Sequence, residues 1–167
     1  MIRIRPAQLE DSAELIKLWH AGWHDAHSHL VPREILAYRS VDHFNMWLSE
    51  CRDACYAARG LSELLGFVSI RGAEVVKLYV SAAARGSGIA TALLSYAERE
   101  LHRHGIIEAE LYCTAGNLRA QKFYEREGWE LSRTFEDALW LPRGVQGKYL
   151  VETRRYGKRL SGGWDSD

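Results

Sequence analysis

The sequence predicts an α/β fold, a single domain with a mixed central sheet of about seven strands flanked by about four helices. Three observations predict it. A strand, a helix and a second strand follow one another across residues 74–113, an order that requires a parallel pair joined by a right-handed crossover. Short alternating strands before and after that unit suit antiparallel neighbours. The chain has 167 residues, 47% of them hydrophobic and 26% charged, enough for one domain to bury a core.

Ile2 and Ile4 alternate with Arg3 and Arg5 ahead of Pro6, the pattern of a short first strand with one buried face. Asp11-Ser12-Ala13-Glu14 reads as a helix start, with an acceptor at the cap and a glutamate three residues on to satisfy orphan N–H groups. Ile16, Trp19 and Trp23 then share one helical face. Further helical stretches begin near Pro32-Arg33-Glu34 and near Asp42, where Phe44, Trp47, Leu48 and Cys51 recur at helical spacing. Ala54 to Ala58, Leu64 to Ile70 and Glu74 to Val80, set apart by Gly60, Ser62 and Gly72, form an antiparallel meander. A helix over 89–104 closed by Gly105, a strand over 106–113 and a helix over 118–127 follow, the last with Asn117 as its cap and Gly128 behind it. Residues 129–135 and 149–156 read as two final strands. Neither a linker nor a repeat divides residues 1–160, whereas residues 161–167 are polar and Gly-rich and read as a flexible tail.

Twenty-two Lys and Arg balance twenty-two Asp and Glu, so the chain carries no basic excess to draw it to nucleic acid. Nowhere do about 18 apolar residues run together to span a membrane, and Met1-Ile2-Arg3-Ile4-Arg5 lacks the apolar segment of a signal peptide. The expectation is a soluble, cytoplasmic protein, monomeric or homodimeric, without nucleic-acid or membrane partners. Cys51, Cys55 and Cys113 are too few for a disulfide framework. Cys51 and Cys55 lack a second pair to complete a zinc site and read as two small buried hydrophobes on one helix face.

The strongest site signal is Val80-Ser81-Ala82-Ala83-Ala84-Arg85-Gly86-Ser87-Gly88-Ile89-Ala90, a strand end, a small-residue turn and a helix start. Two glycines within three residues let a ligand approach the backbone, and the first helical turn offers unpaired N–H groups with partial positive charge. Such a turn cradles an anion. A Walker A loop is excluded because Gly88 is followed by Ile89-Ala90 rather than Lys-Ser/Thr, and a dinucleotide fingerprint because Thr91 stands where its third glycine belongs.

Arg85-Gly86-Ser87-Gly88-Ile89-Ala90 resembles the Arg/Gln-x-x-Gly-x-Gly/Ala motif of the GCN5-related N-acetyltransferase (GNAT) superfamily, with Leu78-Tyr79-Val80 before it and Leu93-Leu94 after it. Asn117, Ala120, Phe123, Tyr124, Gly128 and Trp129 are spaced as in that superfamily's second signature. The detailed likeness covers about residues 64–130, and element order extends it from residue 2 to about 156. Ala82 departs from the pattern, standing where many relatives have Pro.

The resemblance implies that acetyl-CoA lies between the strands ending at Val80 and Cys113. Its diphosphate takes N–H bonds from Gly86, Ser87, Gly88, Ile89 and Ala90, helped by Arg85, while its pantetheine arm pairs with the edge of Leu78, Tyr79 and Val80. Asn117 and Ala120 are implied on the other side of the arm. Transfer to a primary amine, of a small molecule or a peptide, requires a general base and a general acid. Tyr124 matches the family's thiolate-protonating tyrosine. Glu74, read on one strand face with Val76, Leu78 and Val80, is the candidate base, and Glu110 and Tyr112 are alternatives.

Five of the seven histidines precede residue 44, and His20, His24 and His27 recur on one helical face. No matching carboxylate or cysteine shares that face, so no metal is expected. The family's first helices wall the acceptor cleft, which makes Trp23, His24, Asp25, His27, His29 and Tyr38, with the loop over 135–148, candidate acceptor contacts. Asp25 is the residue placed to attract an ammonium group. A non-catalytic acyl-CoA-binding module is the competing reading; it keeps the glycine turn but has no use for Tyr124 or Glu74.

Overall fold

Arg3–Pro6 (β1), Ala54–Arg59 (β2), Leu64–Arg71 (β3) and Glu74–Val80 (β4) pair in succession as an antiparallel run in the computed structural model, which describes residues 1–161. Glu108–Thr114 (β5) then joins β4 in parallel, and Glu130–Ala138 (β6) and Leu150–Arg159 (β7) complete the sheet in the order β1-β2-β3-β4-β5-β7-β6. The single parallel junction is the one that the crossover helix Ile89–Arg103 demanded. The expected tail lies outside the described residues apart from Ser161. Among the described residues, no helix is long and apolar enough to cross a membrane.

Alternation along the central strands sorts side chains to two cores. Ala58, Val68 and Leu111 face one side, where Leu93, Leu94, Ala97 and Leu101 of the crossover helix pack with Trp129. Ala57 and Phe67 face the other, under Ser12–His27 (α1) and Val41–Glu50 (α2), with Trp19, Trp23, Ile35 and Phe44. Ile89–Arg103 and Leu118–Arg126 are α3 and α4. A fully buried leucine such as Leu93 or Leu101 contributes about 2 kcal/mol by leaving water.

The ends of several elements differ from expectation for local reasons. Asp11 makes no side-chain cap for α1; its carboxylate accepts from the Gln8 N–H at 2.7 Å and from Arg5 at 2.7 and 3.1 Å, so it closes a 3₁₀ turn at Leu9–Asp11 instead. Glu14 likewise serves Arg59 and the Leu64 N–H rather than a capping box. The stretch after Pro32 is 3₁₀, Arg33–Tyr38, and α2 starts one residue earlier than expected, capped by Ser40. Cys51 ends α2 and Cys55 sits in β2, both half-buried, so they do not share a helix face.

A register shift in β4 matters most for function. Ser69 opposes Lys77 while Ile70 opposes Val75, so Val76 is an extra, unpaired residue, a β-bulge. Val75 faces the α3 core, and beyond the bulge Leu78 and Val80 face it too, leaving Lys77 and Tyr79 on the side of α1. Glu74, next to Val75, therefore shares the Lys77 and Tyr79 side. This corrects the simple period-two reading, which put it with Leu78 and Val80.

Candidate active site

The parallel junction between β4 and β5 is short. Only Glu74↔Glu110 and Val75↔Leu111 are in register, after which the strands diverge and the β4 edge from Val76 to Val80 turns to a cleft of about 1150 Å³. Gly86, Gly88, Ile89 and Ala90 line it where the strand gives way to α3, and Leu78, Tyr79 and Val80 form one wall. Asn117, Ala120 and Tyr124 of the α4 segment, with Tyr112 and Cys113 of β5, form the wall opposite. Trp19, Trp23, Trp47 and Trp140 line the part under α1 and α2.

The glycine turn has the backbone form expected of it, left-handed glycines followed by a helix start. Gly88 is the N-cap of α3 with φ +86°, a left-handed conformation that side chains resist, and Gly86 has φ +79°. Ala92 donates to the Gly88 carbonyl at 3.0 Å, so the N–H groups of Ile89, Ala90 and Thr91 precede the first closed helical bond and have no acceptor within α3. Ser87 differs from the others: its N–H bonds the Ala84 carbonyl at 3.3 Å and its hydroxyl turns to the same oxygen.

Tyr124 is half-buried, its ring centroid 5.3 Å from Phe123 and 6.2 Å from Tyr156. Burial first, then the nearby Cys113 and Tyr79, push its phenol above the ordinary range, so it holds its proton. Burial pushes the Cys113 thiol up to about 12, which keeps it an inert thiol beside the tyrosine. Asn117 Oδ1 accepts from the Ala120 N–H at 3.4 Å, confirming the cap, while the residue also lines the cleft.

Glu74 lies at the closed base of the divergence and does not line the cleft. Burial raises its carboxyl, with Glu110 and Asp53 adding to the effect. Glu110 is occupied, accepting from Arg155 Nε and Nη2 at 3.0 and 2.8 Å. Among the acceptor candidates, Trp23 and His27 line the cleft and His24, Asp25 and Tyr38 do not. His24 Nε2 bonds the Arg39 carbonyl at 2.7 Å, and Tyr38 packs in the α1 core. Asp25 is engaged by Arg85 and Arg119 at 2.7 and 3.2 Å, so its charge is directed to the arginines rather than to an ammonium group. Burial pushes the His27 imidazole down to about 4, hence neutral, with Nδ1 3.2 Å from the Trp23 carbonyl. Among the described residues no group of His, Cys, Asp and Glu is arranged to hold a metal.

Two features escaped the sequence reading. Lys77 lines the cleft, donates to Asp53 Oδ2 at 2.6 Å and lies 5.2 Å from the Trp19 ring centroid. A charged residue inside Val75-Val76-Lys77-Leu78-Tyr79-Val80 was the available signal. Arg39 is 1% exposed, with its guanidinium 5.0 to 5.6 Å from the rings of Trp23, Trp47 and Trp140, behind the tryptophan wall.

A diverging parallel pair with a glycine turn at its open end defines the class of fold. The family model of the acetyltransferase (GNAT) family matches residues 13–129, and the chain belongs to that family. The fold is similar to that of a GCN5-related N-acetyltransferase from Rhodopseudomonas palustris, at 19% identity, TM-score 0.72 and 95% coverage of both chains. It is similar also to an N-acetyltransferase from Staphylococcus aureus Mu50, at 19% identity and TM-score 0.70, covering 96% of this chain and 99% of that one. A third likeness is to the PaiA N-acetyltransferase of Thermoplasma acidophilum, solved in complex with coenzyme A, at 22% identity and TM-score 0.65, covering 93% of this chain and 99% of that one. No curated protein matches the chain by sequence. At these identities the structural likenesses establish the fold, which agrees with the one expected from the sequence.

Proposed function

We propose that the protein is a cytoplasmic N-acetyltransferase that moves an acetyl group from acetyl-CoA to a primary amine of a small molecule or peptide. The observation that carries this reading is the unpaired β4 edge, which runs from the bulge at Val76 into the free N–H groups of α3 and faces Tyr124 across the cleft. An extended amide arm fits such an edge as an added strand, and a diphosphate fits the helix start. Bound acetyl-CoA supplies an activated acyl thioester.

The chain's own groups then divide the proton work. Tyr124 holds its proton and gives it to the leaving sulfur as the C–S bond breaks and the C–N bond forms. Glu74, on the Lys77 and Tyr79 side and with a raised carboxyl, takes the proton released by the amine through water. Trp19, Trp23, Trp47 and Trp140 give the acceptor an apolar, water-excluding wall. Asn117 holds the cofactor arm with the amide group that does not cap α4.

One observation favours a non-catalytic acyl-CoA-binding module instead, namely that Glu74 does not line the cleft. Calorimetry with CoA and acetyl-CoA, followed by thiol release over a panel of amines, separates the two readings. Binding with amine-dependent thiol release is expected; binding without release under any amine supports the module, and no binding at all overturns both.

A further inference from the structure

Arg85 and Arg119 come from opposite sides of the divergence, the first from the glycine turn after β4 and the second from the first turn of α4 after β5. Both line the cleft. Each donates from Nη2 to the same atom, Oδ2 of Asp25 on α1, at 2.7 and 3.2 Å. Three charges thus meet at one oxygen and leave one positive charge uncompensated. All three side chains are solvent-exposed, at 35%, 51% and 60% for Arg85, Asp25 and Arg119, and exposed pairs of this kind are weak and exchange readily. An anionic oxygen held between two guanidinium groups is also the arrangement in which arginines hold a phosphate.

We propose that Arg85 and Arg119 form a two-sided phosphate clamp for coenzyme A, and that Asp25 is its built-in competitor, bridging the two arginines until a ligand phosphate displaces it. The proposal rests on the reading of the cleft as a coenzyme A site. It assigns Arg119 to cofactor binding and gives Asp25 an effect opposite to that of a contact residue, because its carboxylate opposes the ligand. The anion can be the diphosphate or the 3′-phosphate, which share this chemistry.

Calorimetric Kd values for CoA, dephospho-CoA and pantetheine test it on the whole chain, wild type beside Asp25→Asn, Arg119→Gln and the double variant. Asp25→Asn is expected to bind CoA about three- to tenfold more tightly, and Arg119→Gln about tenfold more weakly. In the double variant the gain from Asp25→Asn shrinks, because one of the arginines it frees is gone. Pantetheine affinity stays constant throughout. A gain retained with dephospho-CoA places the diphosphate in the clamp, and a gain confined to CoA places the 3′-phosphate there. Wild type that binds CoA beside an Asp25→Asn variant that binds it no better overturns the clamp alone, as does an equal gain with pantetheine. Wild type that fails to bind CoA overturns the clamp together with the functional reading beneath it.

Discussion

Arg39 donates from Nη2 to the carbonyl oxygen of Trp140 at 2.8 Å, joining two residues 101 positions apart. It links the 3₁₀ segment before α2 to the connection between β6 and β7, and Nη1 donates to the Tyr38 carbonyl at 3.0 Å. Trp47 and Trp140 stack in front of it with ring planes 4° apart. Among the described residues no carboxylate pairs with this arginine. The three indole faces take that part, and burial pushes its guanidinium down to about 10.

Replacing Arg39 by Ala removes those contacts, leaves the Trp140 carbonyl without its donor and opens a hole behind the tryptophan wall. We expect a loss of about 2–4 kcal/mol in urea unfolding. Arg39→Lys keeps a charge but not the planar fork and is expected to lose about half as much. Equal stability of all three proteins contradicts the bracing role.

Tyr124→Phe keeps the ring and its packing on Phe123 and Tyr156 while removing the proton donor. A fall in kcat of about a hundredfold with nearly unchanged CoA affinity is expected. Because the phenol is raised above its ordinary value, the wild-type rate has no alkaline loss from this group below about pH 10. Steady-state pH profiles check this, and parallel losses of binding and turnover assign Tyr124 a packing role instead.

Glu74 makes opposite predictions for rate and for stability. Its folded carboxyl is raised mainly by burial, so the native state holds a proton that the unfolded chain gives up at lower pH. Stability contributed by that proton is present below the unfolded value of 4.5 and is lost as pH rises through the folded value. Glu74→Gln is therefore expected to raise the unfolding free energy at pH 7 relative to wild type. In rate it is expected to lower kcat and flatten the acidic limb of the pH profile. A variant that is more stable and equally active removes Glu74 from the proton path.

Legibility in the sequence followed the range of each interaction. Gly86, Gly88 and Asn117 were legible through backbone conformation and capping, which a dozen residues encode, and they adopt those conformations; Tyr124 was singled out by the family resemblance, and it lines the same cleft. The face of Glu74 was not legible because a single unpaired residue, Val76, reverses the alternation, and a bulge is fixed by pairing with β3 rather than by β4 itself. Arg39 with its tryptophans and Asp25 with its two arginines unite residues from distant segments. Composition shows that these residues exist, while only the folded sheet shows that they meet.

Gly22 illustrates how tertiary contact overrides local propensity. A glycine in the interior of α1 costs about 1 kcal/mol relative to alanine, so Gly22→Ala favours the isolated helix. In the folded protein, however, the added Cβ lies 2.6 Å from Cδ1 of Tyr79, which forms part of the β4 wall of the cleft and stacks on Phe67 at 5.8 Å. The ring has to move. We expect a net destabilisation of about 1–2 kcal/mol and a drop in turnover as the wall shifts. In a Tyr79→Ala background the Cγ, Cδ1 and Cε1 atoms that the added Cβ meets are gone, so Gly22→Ala becomes neutral or stabilising there. Thermal unfolding of the four proteins in that cycle decides the matter: additive effects show that Gly22 is not retained to admit the Tyr79 ring.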